Sequence, residues 1–179
     1  RVRSSAASDV YKRQISKNQK LGLGLNEKIL PQYLKEMNYQ TYLLGKWHLG
    51  AYTPEYFPTR RGFDYFYGYL QGGNGYWDHV HGGGYDWQKN EKLQRKEGYT
   101  THLIRDDAIR IIENHNDQSS MFLNINFGAP HTPNEAPQES INKFNNIESE
   151  NRRTHAAMVH EMDDAIGKII YALKKKNIP

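Results

Sequence analysis

Apolar residues recur at helical spacing in three stretches of the chain, and two shorter stretches read as strands. Ile29, Leu30, Tyr33, Leu34 and Met37 share one face of a helix predicted over 27–37, with Asn26 placed to cap it and Pro31 early in it. Asn38 supplies a stop, and Gln40-Thr41-Tyr42-Leu43-Leu44 is a short run of β-formers that ends at Gly45. A second helix is predicted over 101–114, with Leu103, Ile104, Ala108, Ile111 and Ile112 inward. After a polar loop, 121–127 alternates, placing Met121, Leu123, Ile125 and Phe127 on one face before Gly128. The last predicted helix covers 151–176, with Ala156, Val159, Met162, Ile166, Ile169, Ile170 and Leu173 as its stripe. Helices alternating with strands imply an α/β fold. The strands at 40–44 and 121–127 should be neighbours or near-neighbours in a largely parallel sheet flanked by the three helices.

Between 51 and 99 the chain is rich in glycine, proline and aromatics and has no clear periodicity, so it reads as loops. Tyr and Trp offer flat apolar faces with a polar edge, which suits sugar rings, although burial is the commoner use of any single ring. Asp78, His79 and His81 lie here. A His-x-His pair falls one ligand short of a metal site, so Asp78 and His79 are read as substrate contacts.

Candidate chemistry concentrates where strands run into glycine. Gly45-Lys46-Trp47-His48-Leu49-Gly50 puts two cationic donors, Lys46 and His48, just past the first strand. Ligands of α/β sheets bind outside the carboxyl ends of strands, and such a pair suits phosphate or sulfate. The second strand delivers His131 in the same way, within Ala129-Pro130-His131-Thr132-Pro133, whose prolines stop the strand. His155 and His160 read as helix-surface residues. Asp163 and Asp164 are adjacent on a helix and point about 100° apart, so they do not converge on one ion.

Composition trims the possibilities. The 179 residues carry a net charge of +4, yet Arg1, Arg3, Lys12, Arg13, Lys17 and Lys20 face only Asp9 in the first twenty. The rest of the chain is close to neutral, which argues against nucleic-acid binding. Residues 1–15 lack apolar periodicity and are expected to be a non-native or disordered leader. No apolar run is long enough to span a membrane. The absence of cysteine excludes disulfides and thiolate metal sites within this chain.

Three segments together resemble the sulfatase family, formylglycine-dependent and closest to the arylsulfatase B-like (N-acetylgalactosamine-4-sulfatase-like) branch and its bacterial relatives. They are Leu25 to Glu36, Gly45 to Gly50, and Pro58-Thr59-Arg60-Arg61-Gly62-Phe63-Asp64. The likeness runs from about Leu23 to about Lys174, with the motifs in family order. It implies an alkaline-phosphatase-like α/β domain that cleaves sulfate esters of sugars or glycosaminoglycans. It also implies a formylglycine nucleophile made from the cysteine of a Cys-x-Pro-x-Arg segment, and a calcium ion held by an Asp-Asp and an Asp-Asn pair. By motif, Lys46 corresponds to the lysine bridging nucleophile and sulfate. His48 corresponds to the histidine at the hydrated aldehyde, and His131 to the histidine facing sulfate and leaving oxygen.

The chain departs from that pattern in having no cysteine and neither aspartate pair. Residues 16–179 are therefore expected to be an internal, by itself inactive piece of a sulfatase catalytic domain, with the nucleophile and the Ca2+ ligands elsewhere. Two other readings stay open: a non-catalytic, glycan-binding sulfatase-like protein, and a phosphatase or phosphonate hydrolase of the same superfamily. The expected partner is a sulfated carbohydrate, with no nucleic acid and no membrane span. The expected location is lysosomal or secreted in a eukaryote, periplasmic or secreted in a bacterium.

Overall fold

The computed structural model describes residues 22–116 and 118–178, and the expected leader lies outside them. Helix α1 (Leu30–Glu36) leads into strand β1 (Gln40–Lys46), and strand β2 (Tyr65–Tyr69) follows. Two short hairpins come next, β3 (Val80–His81) with β4 (Gly84–Tyr85), and β5 (Gln88–Lys89) with β6 (Lys92–Leu93). Then come α2 (Thr100–Asn114), β7 (Met121–Asn126), α3 (Gln138–Asn142) and α4 (Glu150–Lys175). Five strands form one sheet in the order β6-β5-β2-β1-β7. β1 is parallel to both β2 and β7, and β5 runs antiparallel to β2. The two strands expected side by side pair directly, Leu44 opposite Ile125 and Gly45 opposite Asn126. Among the described residues no strand pairs with the outer edge of β7.

Both faces of the sheet are covered. Leu44 packs with Tyr67, Trp87, Ile104 and Ile112 on one side, and Leu43 with Trp47, Phe63 and Phe66 on the other. Burial on both faces produces continuous apolar runs instead of alternation. This accounts for the first correction to the sequence reading. Tyr65–Tyr69 was expected to be loop, yet it is a central strand buried from Phe66 to Tyr69. Its Gly68 also hides the pattern, and the glycine is there for a steric reason. A Cβ at Gly68 would stand 2.1 Å from the Gly45 carbonyl oxygen, and one at Gly45 would stand 2.0 Å from that of Asn126. Gly45, at φ +96°, sits where three strand backbones pinch together. β1 consequently continues two residues beyond the expected end at Leu44 and carries Lys46 as its last residue.

Two helices also differ from expectation. α1 begins at Leu30 because the Ile29 N–H donates to Gln32 Oε1 at 2.9 Å, closing the first turn after Asn26 has been passed. Its expected inward face is open, with Leu30 57%, Tyr33 49% and Met37 68% exposed. In α4 the buried stripe is Ala157, Met158, Glu161, Ala165, Ile169 and Ala172, whereas Val159, Ile166 and Ile170 are partly exposed. The alanines allow close approach to α2, so the small residues decide the docked face over the larger aliphatic ones.

Glu161 ties α4 to two other elements. Its Oε2 lies 2.5 Å from His102 Nε2 on α2, and the Ser140 hydroxyl of α3 donates to Oε1. Burial pushes the Glu161 carboxyl up, but the hydrogen bonds from Ser140 and His102 outweigh it and hold the pKa below the ordinary value. A depressed folded pKa stabilises above the unfolded value of about 4.3 and loses that contribution as pH falls through the folded one. In the protein carrying this chain, the urea midpoint should therefore fall as pH drops below about 4. Glu161→Gln should flatten part of that acid dependence. An unchanged acid limb in the variant would show that the pair does not hold the helices together.

Candidate active site

Beyond the pinch at Gly45, β1 and β2 stay in step. The Trp47 N–H donates to the Tyr69 carbonyl and the His48 N–H to the Leu70 carbonyl, each at 3.0 Å. Trp47 turns into the core, 6% exposed, and its indole N–H donates to the Tyr56 carbonyl at 2.9 Å. Burying the middle residue of Lys46-Trp47-His48 fixes the directions of the two that flank it. His48 has φ +58°, a left-handed conformation uncommon for a side chain of this size and frequent at functional sites. Lys46 is half-buried. Burial pushes its ammonium pKa down, and no anionic partner for it exists among the described residues.

The floor is the loop that follows β2, and one buried carboxylate shapes it. Asp86, 8% exposed, accepts from the Leu70 N–H at 3.1 Å and from the Gln71 N–H at 2.9 Å. Its own carbonyl accepts from Asn74 Nδ2 at 2.8 Å. Burial raises the Asp86 pKa, and the two backbone donors oppose the shift. Gly72 and Gly73 lie between these anchors, and each carries one imidazole. A Cβ on Gly72 would fall 2.4 Å from His48 Cε1, and one on Gly73 would fall 3.4 Å from His131 Cε1.

His131 arrives from the end of β7. Its N–H donates to the Gly128 carbonyl at 2.9 Å, and cis peptide bonds precede Pro130 and Pro133 on either side. The Tyr76 hydroxyl donates to the His131 carbonyl at 2.9 Å. Within the side chain, Nδ1 lies 2.6 Å from the Thr132 carbonyl oxygen. A carbonyl only accepts, so Nδ1 carries the proton and Nε2 is left for a ligand.

His48 and His131 line a single cleft of about 600 Å³ together with His81, Asn74, Asp78 and Glu135. Lys46 is not among its lining residues and lies at the end of β1, its carbonyl accepting from Asn126 Nδ2 at 3.0 Å. Of the two expected substrate contacts, Asp78 lines the cleft and His79 does not. His79 is fully buried, its ring stacked 4.8 Å from Trp87, and burial lowers its pKa. With no exposed surface, it packs as a core residue and does not face this cleft. Its neighbour two positions on, His81, is the one that reaches the cleft. Among the described residues no three His, Cys, Asp or Glu side chains come together as metal ligands, and Asp164 instead pairs with Lys168 at 2.6 Å. Sequence reasoning also missed Asn74, Tyr76 and Glu135. The proximity of Tyr76 and Asn74 to the glycine pair was the available signal.

The family model described as Sulfatase matches residues 3–179. The chain belongs to the sulfatase family. It is similar to arylsulfatase J of Mus musculus, with 36% identity over 161 residues that cover 86% of this chain and 27% of the relative. It is also similar to N-acetylgalactosamine-6-sulfatase of Mus musculus, 29% identical over 178 residues, 88% of this chain and 31% of the relative. The chain thus spans about a third of the curated sulfatases it matches. Among solved structures, Ps i-CgsB in complex with k-i-k-neocarrahexaose matches with TM-score 0.84 and 32% identity, over 90% of this chain and 40% of that one. BT4656 in complex with its substrate D-Glucosamine-2-N, 6-O-disulfate shares the fold at TM-score 0.71 and 16% identity, over 93% and 50%. The sheet and helices are accordingly part of an alkaline-phosphatase-like sulfatase domain.

The two glycines give the site a steric test. Neither Gly72 nor Gly73 has a left-handed φ, so alanine strains neither backbone. Gly72→Ala must displace the His48 ring and should lower turnover of the whole enzyme roughly 10- to 100-fold, the usual cost of an ångström-scale misplacement. Gly73→Ala meets His131 at ordinary contact distance and should cost far less. Equal kcat values for the two variants would mean that His48 is not held against Gly72 in the working enzyme.

Proposed function

We propose that the protein carrying this chain hydrolyses sulfate esters of sugars, and that Lys46, His48 and His131 are its anion-handling residues on this part of the domain. The observation that carries the reading is the pair of imidazoles sharing one cleft at the carboxyl ends of parallel strands, one of which ends in a half-buried lysine with no anionic partner among the described residues. Family membership and the sulfated-sugar sulfatases among its relatives support the same reaction class.

The formylglycine and calcium that the family resemblance brings belong to residues this chain lacks. It has no cysteine, and its described residues offer no convergent ligand set. Formylglycine would supply the nucleophile that attacks sulfur. The work of the residues present is separable from it. Lys46 neutralises charge on the sulfuryl oxygens, and its desolvation makes that attraction stronger than a solvated lysine would provide. His131, with Nδ1–H held by the Thr132 carbonyl, donates a proton from Nε2 to the departing alcohol oxygen; the proton leaves with the alcohol, and solvent restores the imidazole before the next turnover. His48, pinned by its backbone and by Gly72, orients the nucleophile side of the cleft.

In the full-length enzyme, Lys46→Ala should lower kcat/KM by about 10²–10³, the scale for removing a preorganised oxyanion donor. His131→Ala should slow alkyl and sugar sulfates more than 4-nitrophenyl sulfate, whose leaving group needs no proton. Equal losses on both substrates would remove His131 from the leaving-group role. Faster turnover of phosphate than of sulfate monoesters would replace this reading with the phosphatase one.

A further inference from the structure

The cleft has a second wall whose chemistry runs opposite to anion binding. Asp78 is exposed there, and its Oδ1 accepts from the Val80 N–H at 2.9 Å. Glu135 is partly buried, and its Oε2 accepts from the Tyr76 N–H at 2.7 Å. In both, a backbone donor fixes the carboxylate, and the other oxygen has no hydrogen bond among the described residues. Asn74, 6% exposed, lines the same cleft, and its Nδ2 is committed to the Asp86 carbonyl. That commitment fixes the orientation of the amide and leaves Oδ1 buried with no donor among the described residues. The wall is thus three oriented acceptors, one of them an unsatisfied buried oxygen.

Two carboxylates in a cleft that takes an anion repel it unless something else in the ligand repays them. A buried acceptor without a donor is likewise costly until one arrives. The groups that answer both requirements are hydroxyl or amide N–H donors on the part of the substrate that is not sulfate. We propose that Asn74, Asp78 and Glu135 form an acceptor subsite for the sugar ring carrying the scissile sulfate. The subsite selects rings with free hydroxyls and rejects rings with a second sulfate or a carboxylate beside them. The inference rests on the sulfate-ester reading above and adds the substrate class to it.

The test uses the full-length enzyme with 4-nitrophenyl sulfate, a panel of monosulfated methyl hexosides, and the disulfated counterpart of each. Asp78→Asn and Glu135→Gln are chosen because both amides still accept the Val80 and Tyr76 N–H groups, so the loop keeps its anchors. The wild type should prefer a monosulfated hexoside over its disulfated form by about tenfold or more. Each variant should lower the ratio of kcat/KM for the hexoside to that for nitrophenyl sulfate by roughly 10- to 100-fold, the scale for a site built to bind a substrate hydroxyl. Each should also narrow the discrimination against the disulfated sugar. Equal losses on the hexoside and on nitrophenyl sulfate would mean a structural role only and would overturn the proposal. So would unchanged discrimination, or a wild type that cleaves nitrophenyl sulfate and no hexoside. If the wild type cleaves no sulfate ester at all, the activity reading fails instead. Calorimetric binding of the unsulfated methyl hexosides then still decides the subsite: binding weakened by both variants supports it, and no binding to the wild type overturns it.

Discussion

The carboxylate of Asp86 is the interaction on which the site depends. It accepts the backbone N–H groups of Leu70 and Gln71 just as the chain leaves β2, while its own carbonyl holds Asn74. Four residues of loop are thereby stretched between fixed points, and the two glycines that seat His48 and His131 are among them. Burial opposes the charge on Asp86, so the two backbone donors are what make an ionised group tenable there. Each buried N–H left without its acceptor would cost about 1–3 kcal/mol. The cleft floor has no equivalent substitute among the described residues, since the loop makes no regular ladder of its own.

From that anchor the arrangement spreads through aromatic side chains used as struts. Tyr76 reaches the His131 carbonyl, Tyr99 reaches the Glu135 carbonyl, and the two rings stack 5.4 Å apart. The loop after β7, the loop after β2 and the start of α2 thus share one buried patch. This is why the region between 51 and 99, so poor in regular structure, still positions chemistry. Its rings mostly serve burial, as the general preference of aromatics suggests, and the hydroxyls of Tyr76 and Tyr99 do the positioning.

What could be read from the sequence divides along the same line. That β1 and β7 are neighbours or near-neighbours, and that helices α1, α2 and α4 exist, follow from local periodicity and glycine punctuation. β2 does not, because a strand covered on both faces and built from Tyr, Phe and Gly carries no alternation. The docked face of α4 was misread because alanines and Glu161, not the larger aliphatics, meet α2 and α3. Lys46, His48 and His131 stand out because each lies at or just past a strand end within a recognisable motif. Asn74 and Glu135 have no such signature. Tyr76 and Glu135 are 59 positions apart, a span that only tertiary folding closes, so their meeting is invisible to spacing. His79 and His81 differ by two positions and have opposite fates. His79 stands just before a strand of two residues and has a left-handed φ of +56°, so the period-2 rule that would put both rings on one face does not apply to it.

The register of the central sheet also sets how this domain must come together in time. β1 and β7 are hydrogen-bonded neighbours, yet about 80 residues of chain lie between them, and the excursion contains β2 on the other side of β1. A parallel pair cannot zip from a local turn, so the β7 edge of β1 must wait unpaired until the whole intervening segment and α2 have been made. Loop closure on that scale precedes the contacts that reward it, which places this sheet among slow-folding topologies. On a ribosome adding about 5–20 residues per second, β1 would remain without its β7 partner for several seconds. The same strand that ends in Lys46 therefore offers one unpaired edge to other nascent chains and to chaperones throughout that interval.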